Sequence, residues 1–556
     1  MKNAWWKTMI GSFSAAVFCV AICSLTFGAE GKSIEEMEKE LNALKAAVLN
    51  LTEQIETVKQ EKLAAAAATP DTQTREDVEA LKNEVSTLKE ELRTAAQAEP
   101  TIKAEDLTGN VYSEFAKRVK LGAQIRTRAE YANGFYNAID PMIAGASSTA
   151  RGPAAGTDAE YVLNQTRLWA DGDVNEHLRI FIQLQDARVF GGEGTTVGFT
   201  DDSANNRMDI HQGYFDVRNL FDLPLTVRVG RQEIIWGDHR VIGNFVWSNL
   251  GRVFDGGRFM WDTDAIHAEV FAVTVDEDGF LNATEDNDGN SDESIYAAML
   301  GFKKLLPGAL LELMYIQKND QDNNVNSATI DGFAVAGDGN VVVHDIGARL
   351  DGKVPNFEAI DYTLEAHGQF GDYGDQTHRA WAFAGRVGYT MREMPWTPRF
   401  GFEYDFASGD SDVDDSTHET FDNLYPTNHW QGNYGFIDLV GWRNMHDFRA
   451  NIKVVPTSKL TVQFDYHYFL LDEEEDGWYF ASGLLAAGRP AGGFTTNDDN
   501  LAQEIDLTIS YDLYRNVKLL AGYSFFNSED WITSAGGGGF EDFDTHWGYI
   551  QTTVTF

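Results

Sequence analysis

Over most of its length the chain alternates apolar and polar residues with a period of two. In YIQTTVTF (549–556), Ile550, Thr552 and Val554 fall on one face, and Tyr549, Gln551, Thr553 and Thr555 on the other. Side chains of a strand point to opposite faces in turn, so such a segment can show lipid one face and water the other. The dyad period begins near Lys117 and marks eighteen candidate strands: 119–131, 160–173, 177–189, 208–219, 225–236, 257–263, 265–275, 294–304, 309–319, 341–353, 358–371, 378–391, 397–408, 443–455, 458–471, 501–514, 516–528 and 543–556. Single-chain bacterial barrels have an even strand number, and barrels of about this size enclose an aqueous channel. The pattern predicts an all-β transmembrane barrel of about eighteen antiparallel strands over 117–556.

Before Lys117 the period is different. Ile34, Met37, Leu41, Leu44, Val48, Leu51, Ile55 and Val58 step by three and four residues, which is a heptad seam. After the linker AAAAATPDTQT it resumes at Val78, Leu81, Val85, Leu88 and Leu92. These residues predict an α-helical coiled-coil arm with its linker over 30–116, expected in the periplasm. The arm is a candidate homo-oligomerisation stalk or cell-wall tether, and its core residues are too mixed to choose a strand number. Residues 1–29 carry Lys2 and Lys7, then an apolar run, then Gly28 and Ala29, the layout of a secretory signal peptide. Both cysteines, Cys19 and Cys23, fall inside it, so the expected mature chain has no thiol or disulfide.

Parity assigns faces in the barrel strands. Leu121, Ala123, Ile125, Ala129 and Tyr131 are expected against lipid, which turns Gln124, Arg126, Arg128 and Glu130 inward. The same rule turns Arg167, Arg179, Arg228, Arg349, Arg386, Arg399 and Arg449 inward, and with them Asp345, Asp351, Asp361, Glu365, Glu403, Asp405, Asp447, Asp465, Glu504 and Asp506. A charge on the lipid face costs about 2–4 kcal/mol at the midplane for Arg or Lys, so inward arginines need no functional reason. They form either a lattice that satisfies buried charge or a track for an anionic solute.

Composition narrows the partners. The formal charge of −42 would repel a polyanion, so nucleic acid is excluded. Much of the acidity sits in 276–294, 408–419 and 471–477, which read as solvated loops. Asp286, Asp288 and Asn290 lack the glycine placement of an EF-hand, and no metal or cofactor is expected. No GxSxG, HExxH or closely spaced nucleophile and base occurs, so catalysis is not expected.

Two stretches break the alternation with Gly, Trp and Arg: VGRQEIIWGDHRVIGNFVWSNLGRVFDGGRF (229–259) and FDNLYPTNHWQGNYGFIDLVGWRNMHDFRANI (421–452). Their GRQE, WSN, GRVFDG and GWRN pieces resemble recurring segments of the alginate-export family of outer-membrane barrels. The resemblance runs over about 120–556 and leaves out the arm. It implies an eighteen-stranded outer-membrane barrel with an arginine-rich pore for an anionic polysaccharide or related solute. The matching positions are Arg231, Gln232, Glu233, Asp238, Arg240, Arg252, Asp255 and Arg258, then Trp442, Arg443, Asn444, His446 and Asp447. An infolded 237–256 loop would form the constriction. The many inward acids depart from an alginate channel and support a second reading, a general or cation-preferring porin with the arm as tether or stalk.

Overall fold

The computed structural model describes residues 118–133, 159–190, 208–275, 293–320, 329–330, 333–334, 341–413, 415–427, 429, 434–483, 485–487, 498–534 and 544–556. The expected signal peptide, the coiled-coil arm and the acidic stretch 276–292 lie outside the described residues.

Eighteen long strands form one closed antiparallel barrel. They are β1 (Val119–Ala132), β2 (Ala159–Asp173), β3 (Leu178–Phe190), β4 (Asp209–Val217), β5 (Leu225–Gln232), β6 (Phe254–Asp262), β7 (Ile266–Val275), β8 (Ser294–Leu306) and β9 (Ala309–Asp320). The second half is β10 (Val341–Lys353), β11 (Ile360–Tyr373), β12 (Gln376–Thr390), β13 (Arg399–Ala407), β14 (Met445–Thr457), β15 (Leu460–Leu470), β16 (Asn500–Tyr514), β17 (Val517–Ser528) and β18 (Asp544–Thr555). Each pairs with the next, and β1 closes on β18 from Gln124↔Thr555 to Ala132↔Trp547. A two-residue strand, Thr417–His418, joins β12 in parallel. No helix among the described residues is long and apolar enough to cross a membrane.

Alternation sorts the wall as expected. Leu121 and Ile550 are 79% and 67% exposed on the outer face, whereas Arg126 and Asp345, at 6% and 0%, are packed inside. Connections such as 174–177 and 458–459 are short at one end, while 233–253, 408–444 and 471–499 are long at the other. By the rule that long loops are extracellular, the short turns face the periplasm.

The largest departure from the expected strands is at β5, which ends at Gln232 rather than 236, and at β6, which begins at Phe254 rather than 257. Glu233 onward leaves the wall for the interior, where Trp236 is buried and its Nε1 donates to Glu269 Oε1 at 2.8 Å. Gly230 and Gly256 are register partners there, with φ of 126° and 157°. A Cβ on them would come within 2.2 Å of Gly213 O and 2.3 Å of Ala272 O, so the glycines of GRQE and FDGG are set by close approach of neighbouring backbone.

The hydrophobic core lies inside the cylinder. Ile234, Trp236, Val241, Ile242, Phe421, Tyr434, Leu439, Trp442, Trp478 and Phe480, all from connections, pack with inward wall residues such as Phe271, Val343, Ala382 and Phe526. Residues 471–477, expected as a solvated loop, belong partly to this core. Asp476 is 1% exposed and accepts from Thr420 Oγ1 at 2.6 Å, Asp410 N at 3.0 Å and Tyr479 OH at 2.9 Å.

Candidate functional site

The segment 233–253 crosses the bore. It leaves β5 and first reaches the wall of β10–β13. Asp238 accepts from Arg349 at 2.7 Å and from Arg386 at 2.9 Å. Arg240, 2% exposed, is enclosed by Glu403, by Asp405 at 3.4 Å and by Glu365 at 3.6 Å. The chain then runs to the wall of β1–β3. Arg126 donates to Val246 O and Ser248 O, both at 2.6 Å, and Arg128 to Trp247 O at 3.0 Å with its guanidinium 4.1 Å from the Trp247 ring centroid. Gln165 donates to Asn249 O at 2.6 Å and Gln185 to Leu250 O at 2.8 Å. In a closed ring of eighteen strands these arcs face each other, so the segment is a bar across the lumen. It begins four residues before the expected 237–256 loop and ends sooner, and Asp255 and Arg258 stand on the β6 wall.

A second connection holds the bar from above. Ile242 bridges Tyr425, with Gly243 N donating to Tyr425 O at 2.7 Å and Tyr425 N to Val241 O at 2.9 Å. Arg252 donates to Pro426 O at 2.9 Å, and burial draws its guanidinium down to about 10 against the raising influence of Tyr425 and Glu293. Glu504 of β16 accepts from Phe436 N at 2.8 Å and Ile437 N at 3.0 Å. The GWRN stretch is packed in this layer. Trp442 is fully buried, and Arg443 donates to Gly483 O at 3.1 Å with its guanidinium 4.6 Å from the Tyr479 ring centroid. Asn444 Nδ2 donates to Glu473 O at 3.0 Å and Gly477 O at 2.8 Å. Asp447 bonds His467 at 2.8 Å. His446 does not line the bore. It projects on the outer face, its Nδ1 2.9 Å from the Tyr404 hydroxyl.

The inward arginines divide into two sets that parity could not separate. Arg126, Arg128, Arg167, Arg349 and Arg449 are 2–7% exposed and bind the bar or fixed carboxylates: Arg167 bonds Glu233 at 3.2 Å, Arg349 bonds Glu312 at 2.7 Å, and Arg449 bonds Glu403 at 2.9 Å and Asp465. The side chains of Arg179, Arg228 and Arg399 keep 16%, 17% and 21% exposure. Each is tied to a carboxylate: Arg179 to Asp171 and Asp216, Arg228 to Asp216 and Arg399 to Asp361. Arg231 has the opposite parity to the inward Arg228 and stands on the outer face, paired with its register partner Asp255 at 2.8 Å. Arg258 and Arg386 are intermediate, paired with Glu269 at 2.6 Å and Asp238. Gln232, the last residue of β5, turns its Nε2 to Gly230 O at 3.1 Å.

Electrostatics off the wall match this packing. Burial pushes the Asp238 carboxyl up, but Arg386, Arg349 and Arg240 outweigh it and hold it below the usual range. Glu233 is likewise lowered, burial being outweighed by the hydrogen bond from His211 and by Arg167. Asp476 and Asp410 go the other way, burial raising them to about 6 and about 7. Gln165, and Tyr434 beside Arg240, escaped the sequence reading, whereas parity turns Gln185 inward along with Arg179. The amides stand at inward parity, but nothing in the sequence marked them as ties to this segment.

With this geometry in place, comparisons with known proteins agree on its type. The alginate export family matches residues 143–541. Among solved structures, Pseudomonas aeruginosa OccK3 (OpdO) is similar over 81% of this chain and 99% of its own, at 11% identity and a TM-score of 0.50. A BenF-like porin from Pseudomonas fluorescens Pf-5 is similar over 79% and 99%, at 12% identity and a TM-score of 0.50. At such identities the likeness speaks for the barrel fold alone. No curated protein matches the chain.

Proposed function

Because this chain belongs to the alginate export family of outer-membrane barrels, we propose that it is a channel whose bore is narrowed by 233–253 and whose accessible arginines pass anionic saccharides or related solutes. The observation that carries the reading is the set Arg179, Arg228 and Arg399, whose side chains stay 16–21% exposed on the bore while Arg126, Arg128, Arg167, Arg349 and Arg449 are packed. A guanidinium can pair bidentately with a uronate carboxylate. The resident partners Asp171, Asp216 and Asp361 compete for it, so each site binds weakly enough to release the solute to the next.

Single-channel reversal potentials in a salt gradient, with and without an oligouronate, test this. Anion preference and block by the oligouronate are expected, and both should weaken in Arg179→Ala, Arg228→Ala and Arg399→Ala. Cation selectivity without block would reject it. That outcome favours the second reading, a cation-preferring porin, which the net charge of −42 supports.

A further inference from the structure

The inner wall of β2–β4 carries a feature that ion pairing does not explain. Bore-facing positions of a water-filled barrel are polar, yet Trp169, Phe181 and Tyr214 all stand on inward parity on three successive strands. Phe181 and Tyr214 are register partners, their rings stacked with centroids 5.2 Å apart and planes 26° apart. Trp169 faces Gln183 across the β2–β3 register, one inward position from Phe181. Its indole lies flat against the wall because its β1 partner is Gly122, where a Cβ would come within 2.3 Å of the ring. Trp169 and Phe181 remain only partly covered.

The polar surroundings are ordered. The guanidinium of Arg228 lies 3.8 Å from the Tyr214 ring centroid, and that of Arg179 lies 5.4 Å from Phe181. Asp216 accepts from both arginines, and Gln212 donates to Gln183 at 3.1 Å. Arg179, Arg228, Asp171 and Asp216 together carry no net charge. Trp169 sits two residues from Arg167, which touches the bar, and two from Asp171 toward the short turn at 174–177. At about 3.3 Å of rise per residue, the strip lies about 7 Å to the periplasmic side of the constriction.

We propose that Trp169 and Phe181, backed by the buried Tyr214, form a stacking strip that binds pyranose rings of a saccharide beside the bar. The inference rests on the channel reading above and deepens it. Flat rings take the apolar face of a sugar, and the amides of Gln183 and Gln212 with Arg179 take its hydroxyl groups or a ring carboxylate. Because the local charges cancel, the strip recognises the ring more than its charge. It would hold a uronate oligomer and a neutral oligosaccharide alike.

The test is blockage of single channels of the full-length protein by an oligouronate and by a neutral gluco-oligosaccharide, in wild type, Trp169→Ala, Phe181→Ala and the double variant. Barrel closure is checked by heat-modifiable electrophoretic mobility. The expected result is a fall in block residence time of about two- to tenfold per ring removed, for both sugars, with salt reversal potential unchanged. Equal residence times in wild type and the double variant overturn the strip and leave the arginine reading standing. Loss with the neutral sugar, where the oligouronate never blocks, supports the strip and overturns the anionic reading. No block of wild type by either sugar overturns both. If Trp169→Ala fails to close, Gly122→Ala, which drives the indole off the wall, should shorten the block in its place, and unchanged block there counts against the strip.

Discussion

Arg240 is the most consequential single contact between bar and barrel. Replacing it by Met keeps most of the volume and removes the charge, leaving Glu403, Asp405 and Glu365 facing one another in a site where each is 0–2% exposed. Removing one partner of a buried ion pair costs about 3–5 kcal/mol. The low end applies, because two of the three acids keep another cation. Arg449 still bonds Glu403 at 2.9 Å, and Glu365 keeps His367 at 3.2 Å and Arg349 at 4.0 Å. Asp405 loses its nearest cation outright. A cost of about 3 kcal/mol shifts the ratio of seated to released bar roughly a hundredfold. Barrel closure does not depend on this contact, since the β1–β18 ladder is remote from it. Arg240→Met is therefore expected to keep its heat-modifiable mobility while showing larger single-channel conductance and more current noise. Adding Asp405→Asn, which relieves the carboxylate left unpaired, should recover much of the wild-type behaviour. Unchanged conductance and noise in Arg240→Met, in channels confirmed as closed barrels, would refute the view that the bar is latched here.

Other outcomes follow from the same geometry. Arg126→Met removes both donors to Val246 O and Ser248 O, so the bar tip should lose about 1–3 kcal/mol of anchoring per orphaned pair; a spin label at Val246 should become more mobile, and an unaltered spectrum would contradict this. Asp216→Asn removes the acid partner of Arg228 and one of the two acid partners of Arg179, which keeps Asp171 at 2.6 Å, raising the wall charge by one, and the reversal potential should move toward stronger anion preference; movement toward cations would be evidence against that role for the two arginines. Burial raises Asp476 from 3.8 to about 6 and Asp410 to about 7. A raised folded-state value means stability fully present below about pH 4 and lost as pH climbs through 6 to 7. A label at the exposed Glu475 should thus be immobile at pH 4 and mobile at pH 8, with a flatter response in Asp476→Asn; equal mobility at both pH values would refute the assignment.

The barrel was legible in advance because its physics is local. A strand that separates lipid from water must alternate, and a misplaced charge costs enough that parity alone sends Arg126, Asp345 and Glu504 inward. The eighteen strands accordingly match the alternating runs, with boundary shifts of a few residues. The shifts are largest where β5 gives way to the bar, since Glu233–Trp236 are as apolar as a strand but pack against a core rather than lipid.

What parity cannot express is distance across the lumen. Arg126 and Arg179 look alike in sequence, yet one grips backbone carbonyls of a segment arriving from β5 and the other faces water beside Asp171. His446 and Asp447 share one motif, but successive residues of a strand point to opposite faces, so only Asp447 reaches the interior. Asp476 sits in an acidic run that reads as solvated, and it is buried because Thr420, Asp410 and Tyr479, distant or hidden in the same loop layer, converge on its carboxylate. Alternation is a property of neighbours in the chain and is written there. Pairing across the bore depends on which connections fold inward and where they land, and only the closed cylinder with its three infolded segments decides that.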